Sequence, residues 1–494
     1  MFLDNSSMIL TLLILIPALT GIASFFVSSA FLRRSMLLGT AILHCLLTAA
    51  AWMSPPEILL NGWLALDSAG LLFLSVSSLL FLASAVYAIG YLGREPQKQQ
   101  DSEEGFMFTN TPENIFIACL QLFLSTMTLV CASQHFGLLW VGIEATTLAS
   151  APLIYFHRHH RSLEATWKYV LICSVGIGLA LLGTLLLTYS ASMIKGEGLN
   201  LQLGQLLLNS ASLQPQWLKA AFLFFLVGYG TKMGLAPLHT WLPSAHSESP
   251  SLVSALLSGA LLNCSFLGIL RIHQVCITAG QSAFSCSLLV FFGLFSMAVA
   301  AFFIIGQKDY KRMLAYSSVE HMGILSLGIG LGGTAVFGSL LHLINHSLTK
   351  GMLFLAAGNI LIVYKTRISS DVKGMLGRIP VTGALWIAGL FAIAGSPPFG
   401  LFVSEFTIFK SAVAQGRYLV AGLFLLLLAI IFAAMSYIML NMAQGENSDP
   451  VEKESALGII PPAILCLLTL LLGLYIPPGL TEILNSVAFI FGGA

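Results

Sequence analysis

The sequence predicts an all-α integral membrane protein, a single transmembrane domain over residues 1–494 with about 14 helices, two of them broken. Three observations predict it. The chain is 57% hydrophobic and only 9% charged, where a soluble domain carries about a quarter charged residues. Uncharged stretches recur at the roughly 20 residues that a helix needs to cross a bilayer. Two such stretches, GYGTKMGLAPLHTWLP and GSPPFGLFVSEFTIFK, are interrupted by Gly and Pro and hold a charge beside the break. Broken spans in matching places of two halves point to an ion or substrate path.

The spans follow in order. The first three cover about 8–28, 34–53 and 69–93. A polar insert, GREPQKQQDSEEG at 93–105, reads as a solvated loop. Five spans then run at about 114–132, 135–156, 166–189, 217–242 and 251–272, and five more at about 283–305, 312–332, 336–362, 382–414 and 418–441. The fourth member of each five is the broken one, with Pro237 in the first and Pro397 and Pro398 in the second. Two repeats, 114–272 and 283–441, are therefore expected. A last span lies at about 457–477, and the apolar tail 480–494 is too short to cross, so it is expected at the interface or packed on the bundle. Loops after odd-numbered spans hold fifteen Lys and Arg, loops after even-numbered spans five, which puts the odd loops in the cytoplasm and both termini outside. The net charge of +1 gives no sign of a nucleic-acid partner. The eight cysteines are scattered without a C-x-x-C pair, so neither a zinc or iron–sulfur site nor a disulfide framework is expected, and no cofactor motif is visible.

A charge inside hydrocarbon is costly and marks function by default. Glu144 lies within HFGLLWVGIEATTLASAPLIYF, too deep for a short carboxylate to reach either end easily. Its expected partner is Lys232, set among Gly228, Gly230, Gly234 and Pro237, where an unwound turn frees carbonyls and admits water. Lysine, unlike arginine, alternates readily between charged and neutral forms when buried. His239, two residues past Pro237, could relay a proton or anchor the turn. In GSLLHLINHSLTKGMLFL, His342, His346 and Lys350 recur every four residues along one helix face, a file about 12 Å long. His-x3-His alone supplies two metal ligands with no carboxylate near in sequence, so no metal is expected. Glu405 follows the second break as a last carrier, or as an interfacial partner of Lys410. Three further candidates are Lys168, which equally reads as a surface partner of Glu164, and Glu320 and His321 in the span after GQKDYKRML, whose Lys308, Lys311 and Arg312 read as topology anchors. Carboxylate, lysine, histidine file and carboxylate together make a chain of weak acids and bases suited to lateral proton transfer.

These motifs resemble the antiporter-like proton-channel subunits of respiratory complex I (NADH dehydrogenase-like), Mrp-type cation/proton antiporters and group 4 membrane-bound hydrogenases. GYGTKMGLAPLHTWLPSAHSESPSLVSALLSG, residues 228–259, is the most specific segment, and WVGIEATTLASAPLIYF, GQKDYKRMLAYSSVEHMGILSLG, HLINHSLTKGMLFL and GSPPFGLFVSEF extend it over most of 135–415. HSESPSLVSALLSGALLNCSFLGILR and RSLEATWKYVLICSVGIGLALLG resemble the hydrogenase-4 component F branch. The resemblance implies 14 helices with two inverted five-helix repeats and a proton path through Glu144, Lys232, His342, His346, Lys350 and Glu405. It implies a multi-pass subunit of a prokaryotic plasma membrane that performs no redox chemistry itself, holds no cofactor and moves protons, or sodium and protons. Its partners would be other membrane subunits and redox subunits carrying Fe–S, nickel–iron or quinone-reactive centres. An Mrp-type antiporter subunit, or a channel coupled to a non-redox partner such as an inorganic-carbon uptake protein, is the alternative. One departure stands out: several members carry lysine in the eighth span, where this chain has Asn263, which cannot carry a proton.

Overall fold

The computed structural model describes residues 6–95, 98–100, 107–192, 201–445 and 450–493. The helices are α1 (Ser6–Phe26), α2 (Ala30–Met53), α3 (Ser68–Leu92), α4 (Glu113–Ala132), α5 (Phe136–Ile154), α6 (His160–Ser192), α7 (Leu203–Leu208), α8 (Pro215–Met233), α9 (Trp241–Glu248) and α10 (Ser251–Leu256). They continue as α11 (Leu262–Thr278), α12 (Ser282–Ile304), α13 (Tyr310–Leu331), α14 (Thr334–Tyr364), α15 (Met375–Arg378), α16 (Pro380–Ile393), α17 (Gly400–Ala414), α18 (Tyr418–Ala443), α19 (Ala456–Leu474) and α20 (Pro478–Ile490). Among the described residues eleven helices are long and apolar enough to cross a membrane, counting α10 and α11 as one through a π turn at Leu257–Leu261. The elements outside that set that could supply the rest of the expected number are α8/α9, α13 and α16/α17. The polar insert departs from the expected loop: Lys98–Gln100 pairs antiparallel with Met107–Thr109, while 96–97 and 101–106 lie outside the described residues.

Burial sorts the helices into centre and rim. The run Ser251–His273 is wholly enclosed and α3, α4 and α14 are largely so, whereas α1, α2, α18 and α19 turn most of their surface outward. Exposed faces of α1, α2, α12 and α20 carry Phe26, Phe31, Phe302 and Phe489. A helix apolar all round belongs in a core or in lipid, and these meet lipid. The tail is α20, which packs on α14 and α3 through Leu484 and Val487.

Helix ends follow local chemistry. Asp67 caps α3 by accepting from Gly70 N at 2.9 Å, and Asp309 caps α13 by accepting from Lys311 N and Arg312 N at 2.8 and 3.0 Å. Pro215 and Pro380 open α8 and α16 at positions where no amide donor is needed. Small residues let backbones meet: a Cβ on Gly228 of α8 would stand 2.6 Å from Gly176 O of α6, and one on Gly323 of α13 would stand 2.6 Å from Gly293 O of α12. Backbone cannot yield as a flexible side chain does, so Gly228→Ala is expected to cost about 1–3 kcal/mol by overpacking. A thermal melt of the detergent-solubilised protein reads this, and an unchanged midpoint would mean that α6 and α8 are not in tight contact.

Both expected breaks are present. In the first, α8 ends at Met233, Gly234 takes φ +89°, and the chain turns through a cis Ala236–Pro237 bond before α9. Backbone groups freed there are recaptured by side chains: Trp241 Nε1 donates to Thr231 O at 2.8 Å, and Ala236 N donates to Ser296 Oγ of α12 at 3.0 Å. In the second, Ala394–Phe399 separates α16 from α17 and includes a cis Pro397–Pro398 bond.

Candidate functional site

The first group lies where α5, α6 and α8 meet. Lys232, in the last turn of α8, has no exposed surface. The expected direct ion pair with Glu144 does not form. Lys232 Nζ instead donates to Thr147 Oγ1 and to Ile143 O at 3.4 Å, and Thr147 Oγ1 in turn donates to Glu144 Oε2 at 3.2 Å. Thr147 stands one helical turn after Glu144 and faces α8, so its hydroxyl occupies the gap. Glu144 Oε1 accepts from Ser174 Oγ of α6 at 3.0 Å. Glu144 is half-buried rather than enclosed, because α5 lies towards the rim, with Val141 and Leu148 exposed on either side. The Tyr169 ring covers the ammonium at 5.3 Å from its centroid, a favourable face for a cation. His239 is buried beside Tyr316 and Phe303, its Nδ1 without a hydrogen-bond partner.

The second group is built by α13, α14 and α17. His342, His346 and Lys350 are all fully buried on α14. They do not form a file on their own: His321 of α13 inserts beside them, its ring 5.0 Å from each of the two histidine rings. His321 Nδ1 lies 3.0 Å from His342 Nε2, and His342 Nδ1 lies 3.0 Å from Ser404 Oγ of α17. Ser404 donates its own proton to Leu401 O at 2.7 Å. It must therefore accept from His342 Nδ1–H, which leaves the lone pair of His342 on Nε2, facing His321. Lys350 Nζ donates to Leu314 O at 2.7 Å and to Ser317 Oγ, both on α13. Glu320 is buried one turn beyond Ser317 with one carboxylate oxygen unpartnered.

Glu405 completes this group. It is 6% exposed with Oε1 unpartnered, while Lys410 is exposed, so the interfacial pair is not what the structure shows. The break makes room for it: Gly395, at φ +60°, lies so close that any Cβ there would strike Glu405 Oε2. One ligand atom each from His321, His342 and Glu405 lie within 4.8 Å of one another. The carboxylate missing from the sequence around the histidines thus arrives in space, which removes the reason for setting a metal aside.

Between the groups, α10 and the π turn pack on α14 while α11 packs on α8. Asn263 sits just past that turn and donates to Gly259 O and to Ser347 Oγ of α14, both at 2.8 Å. Ser258 and Ser318 share a further hydrogen bond of 2.7 Å. π turns recur at functional sites, and this one faces the side chains that join the halves.

Near the end of α9, sequence reasoning misplaced Lys311 and missed His246. Lys311 is no surface anchor: it is 1% exposed and donates to Ser249 O at 2.6 Å and Ser247 O at 3.2 Å, because the end of α9 packs over the start of α13. His246, in the same α9 turn, is fully buried with both ring nitrogens unpartnered. The signal was available in PSAHSESP, a histidine between Pro243 and Pro250 just past the first broken span. A charged cavity of about 420 Å³, lined by Ser247, Glu248, Asp309 and Arg367 among others, opens beside this turn. Lys168 lies on its rim, exposed and 2.5 Å from Glu164, apart from the buried groups.

Comparison with known proteins gives this geometry its setting. Residues 133–433 match the family model described as NADH:quinone oxidoreductase/Mrp antiporter, transmembrane. The chain belongs to this family. Among relatives of this antiporter-family chain, a hydrogenase-4 component F homolog of Methylacidiphilum infernorum is 37% identical over 427 residues, covering 85% of this chain and 87% of the relative. Hydrogenase-4 component B of Escherichia coli is 30% identical over 388 residues, covering 76% of this chain and 54% of that protein. The fold matches a chain of the archaeal membrane-bound sulfane sulfur reductase with a TM-score of 0.86 at 20% identity, over 98% of both chains. It also matches a chain of the Mrp complex of Dietzia sp. DQ12-45-1b with a TM-score of 0.82 at 20% identity, over 99% and 97% of the two chains. This family member is thus a multi-pass antiporter-like membrane subunit, and its fold occurs in multi-subunit membrane complexes.

Proposed function

We propose that this chain translocates protons as a membrane subunit of a redox-driven complex of hydrogenase-4 type. The observation that carries the reading is the succession of weak acids and bases across the bundle, buried except for the half-buried Glu144 at its rim: Glu144, Thr147 and Lys232, then Lys350, His346, His321 and His342, then Glu405. Each lysine is held by one carbonyl and one hydroxyl rather than by a carboxylate. Such a site binds the ammonium without locking it in an ion pair, so the proton can leave when a neighbouring charge changes. The connection from Lys232 to Lys350 runs past Asn263, Ser347, Ser258 and Ser318, whose amide and hydroxyl groups would orient water where a relative uses lysine. His239 stands to the side of this line with Tyr316. His246 and Lys311 join the row to the charged cavity.

The two five-helix units, 114–272 and 283–441, are read as repeats because each contains one helix broken at proline with a titratable group beside it. Both termini are placed outside the cytoplasm of a prokaryotic plasma membrane. Taking the buried Lys311 and Arg271 out of the fifteen and five leaves fourteen cations against four, so the bias survives. The redox assignment rests on the 37% identity to the hydrogenase-4 component F homolog. An Mrp-type antiporter subunit is the second reading, favoured by the Mrp term in the family description and by the fold. Purification in mild detergent from native membranes separates them. Co-migrating Fe–S, nickel–iron or quinone-reactive subunits are expected, and a complex holding only small membrane proteins would refute the redox reading and leave the antiporter.

A further inference from the structure

We propose that His321, His342 and Glu405 form a binding site for a divalent transition-metal ion of the zinc class. Three observations point to it. One ligand atom from each residue lies within 4.8 Å of the other two, and all three residues are buried. Two imidazoles and a carboxylate are a donor set that zinc takes with a water in the fourth position. A polar atom there also lacks a partner: Glu405 Oε1 makes no hydrogen bond, although burial makes an unmade bond expensive.

The spacing fits. Tetrahedral zinc at about 2.0–2.1 Å from each imidazole nitrogen sets two such nitrogens about 3.3 Å apart. His321 Nδ1 and His342 Nε2 are 3.0 Å apart, so a few tenths of an ångström of opening admits the ion. His342 is already the correct tautomer. Ser404 accepts from its Nδ1–H and leaves the Nε2 lone pair free, the outer-shell arrangement that metal-bound histidines use. His321 needs only to carry its proton on Nε2, which puts its Nδ1 lone pair towards the ion. Glu405 approaches from α17, and Gly395 of the broken segment leaves its carboxylate room.

The site is defined by geometry. Its effect on transport rests on the proposed proton path, because an ion held there occupies the nitrogens and the carboxylate that the path would use. The full-length protein, purified without a polyhistidine tag, is titrated with Zn²⁺ against a chromophoric chelator. One ion per chain is expected. Loss of an outer-shell partner alone costs 10–100-fold in affinity, so Glu405→Gln and His342→Gln should each weaken binding at least about tenfold. Should either variant fail to fold, X-ray absorption on the zinc-loaded wild type decides: imidazole and oxygen scattering without sulfur supports the site. Absence of binding, affinity unchanged in both variants, or sulfur in the coordination shell overturns it. Binding that leaves proton flux intact upholds the site and counts against the proton path instead.

Discussion

Lys232→Ala is expected to reduce proton flux to background while the protein still accumulates in the membrane. The ammonium has no exposed surface and, among the described residues, it is the only cation bonded to Thr147. Stability should suffer less than function. The substitution removes a charge whose burial is itself costly, and the remaining partners, a carbonyl and a hydroxyl, are neutral. Glu144→Gln should have the same functional outcome. Thr147→Val separates the bridge from the charges, since it keeps the shape of threonine and removes only the hydroxyl that links Lys232 to Glu144. A hydrogen bond to a charged group is worth about 1.5–3 kcal/mol, so a flux lowered by roughly 10–100-fold is expected if the bridge transmits the proton. Dye-monitored acidification of inverted membrane vesicles reads all three. Normal flux in Lys232→Ala sinks the path; normal flux in Thr147→Val alone would mean that Glu144 and Lys232 communicate through water.

The parts of this site that were legible in the sequence share one property: their signature is local. A charge in an apolar run, or a glycine–proline interruption of a span, needs no knowledge of the neighbouring helix. That sufficed for Glu144, Lys232, Lys350, Glu405 and both breaks. What stayed hidden depends on which helix lies opposite. Thr147 is one of many hydroxyl residues until α8 delivers a lysine to it. His321 reads as a lone histidine until α13 and α14 pack and place its ring between those of His342 and His346. Lys311 sits in a cluster of basic residues that resembles an interfacial anchor, and only the fold of α9 over the start of α13 shows that it is enclosed. The sequence set Glu405 after the histidines as a last carrier but did not show that its carboxylate lies against them, because a break between α16 and α17 separates them along the chain.

Arg271 shows the same limit in its energetics, and it predicts a large effect of its own. In the sequence it counts as a loop cation; in the structure it is 2% exposed in α11 and meets Asp67, at the start of α3, through two bonds of 2.6 Å. The pair ties the enclosed run Ser251–His273 to the helix that packs against it. Burial pushes the Asp67 carboxyl up, but the charge and hydrogen bonds of Arg271, with the Gly70 N–H, outweigh burial and hold it below the ordinary carboxylate range. Its partners are not equally exposed. Asp67 keeps a third of its side chain in contact with solvent and Arg271 almost none. Asp67→Asn preserves the cap on Gly70 and the shape, yet strands a buried guanidinium, so a loss of about 3–5 kcal/mol is expected. Arg271→Met leaves a carboxylate that can rehydrate and fills the vacated space with apolar atoms, so its cost should be distinctly smaller. Acid should act as Asp67→Asn does. Because the folded state depresses the pKa, the contribution is complete above the unfolded value of about 4 and is lost as pH falls through the lower folded value. Thermal melts in detergent at neutral and acidic pH test both statements. Equal losses in the two variants, or an Asp67→Asn protein that melts like the wild type, would show that the guanidinium reaches other partners or water, and that this contact does not fasten α11 to α3.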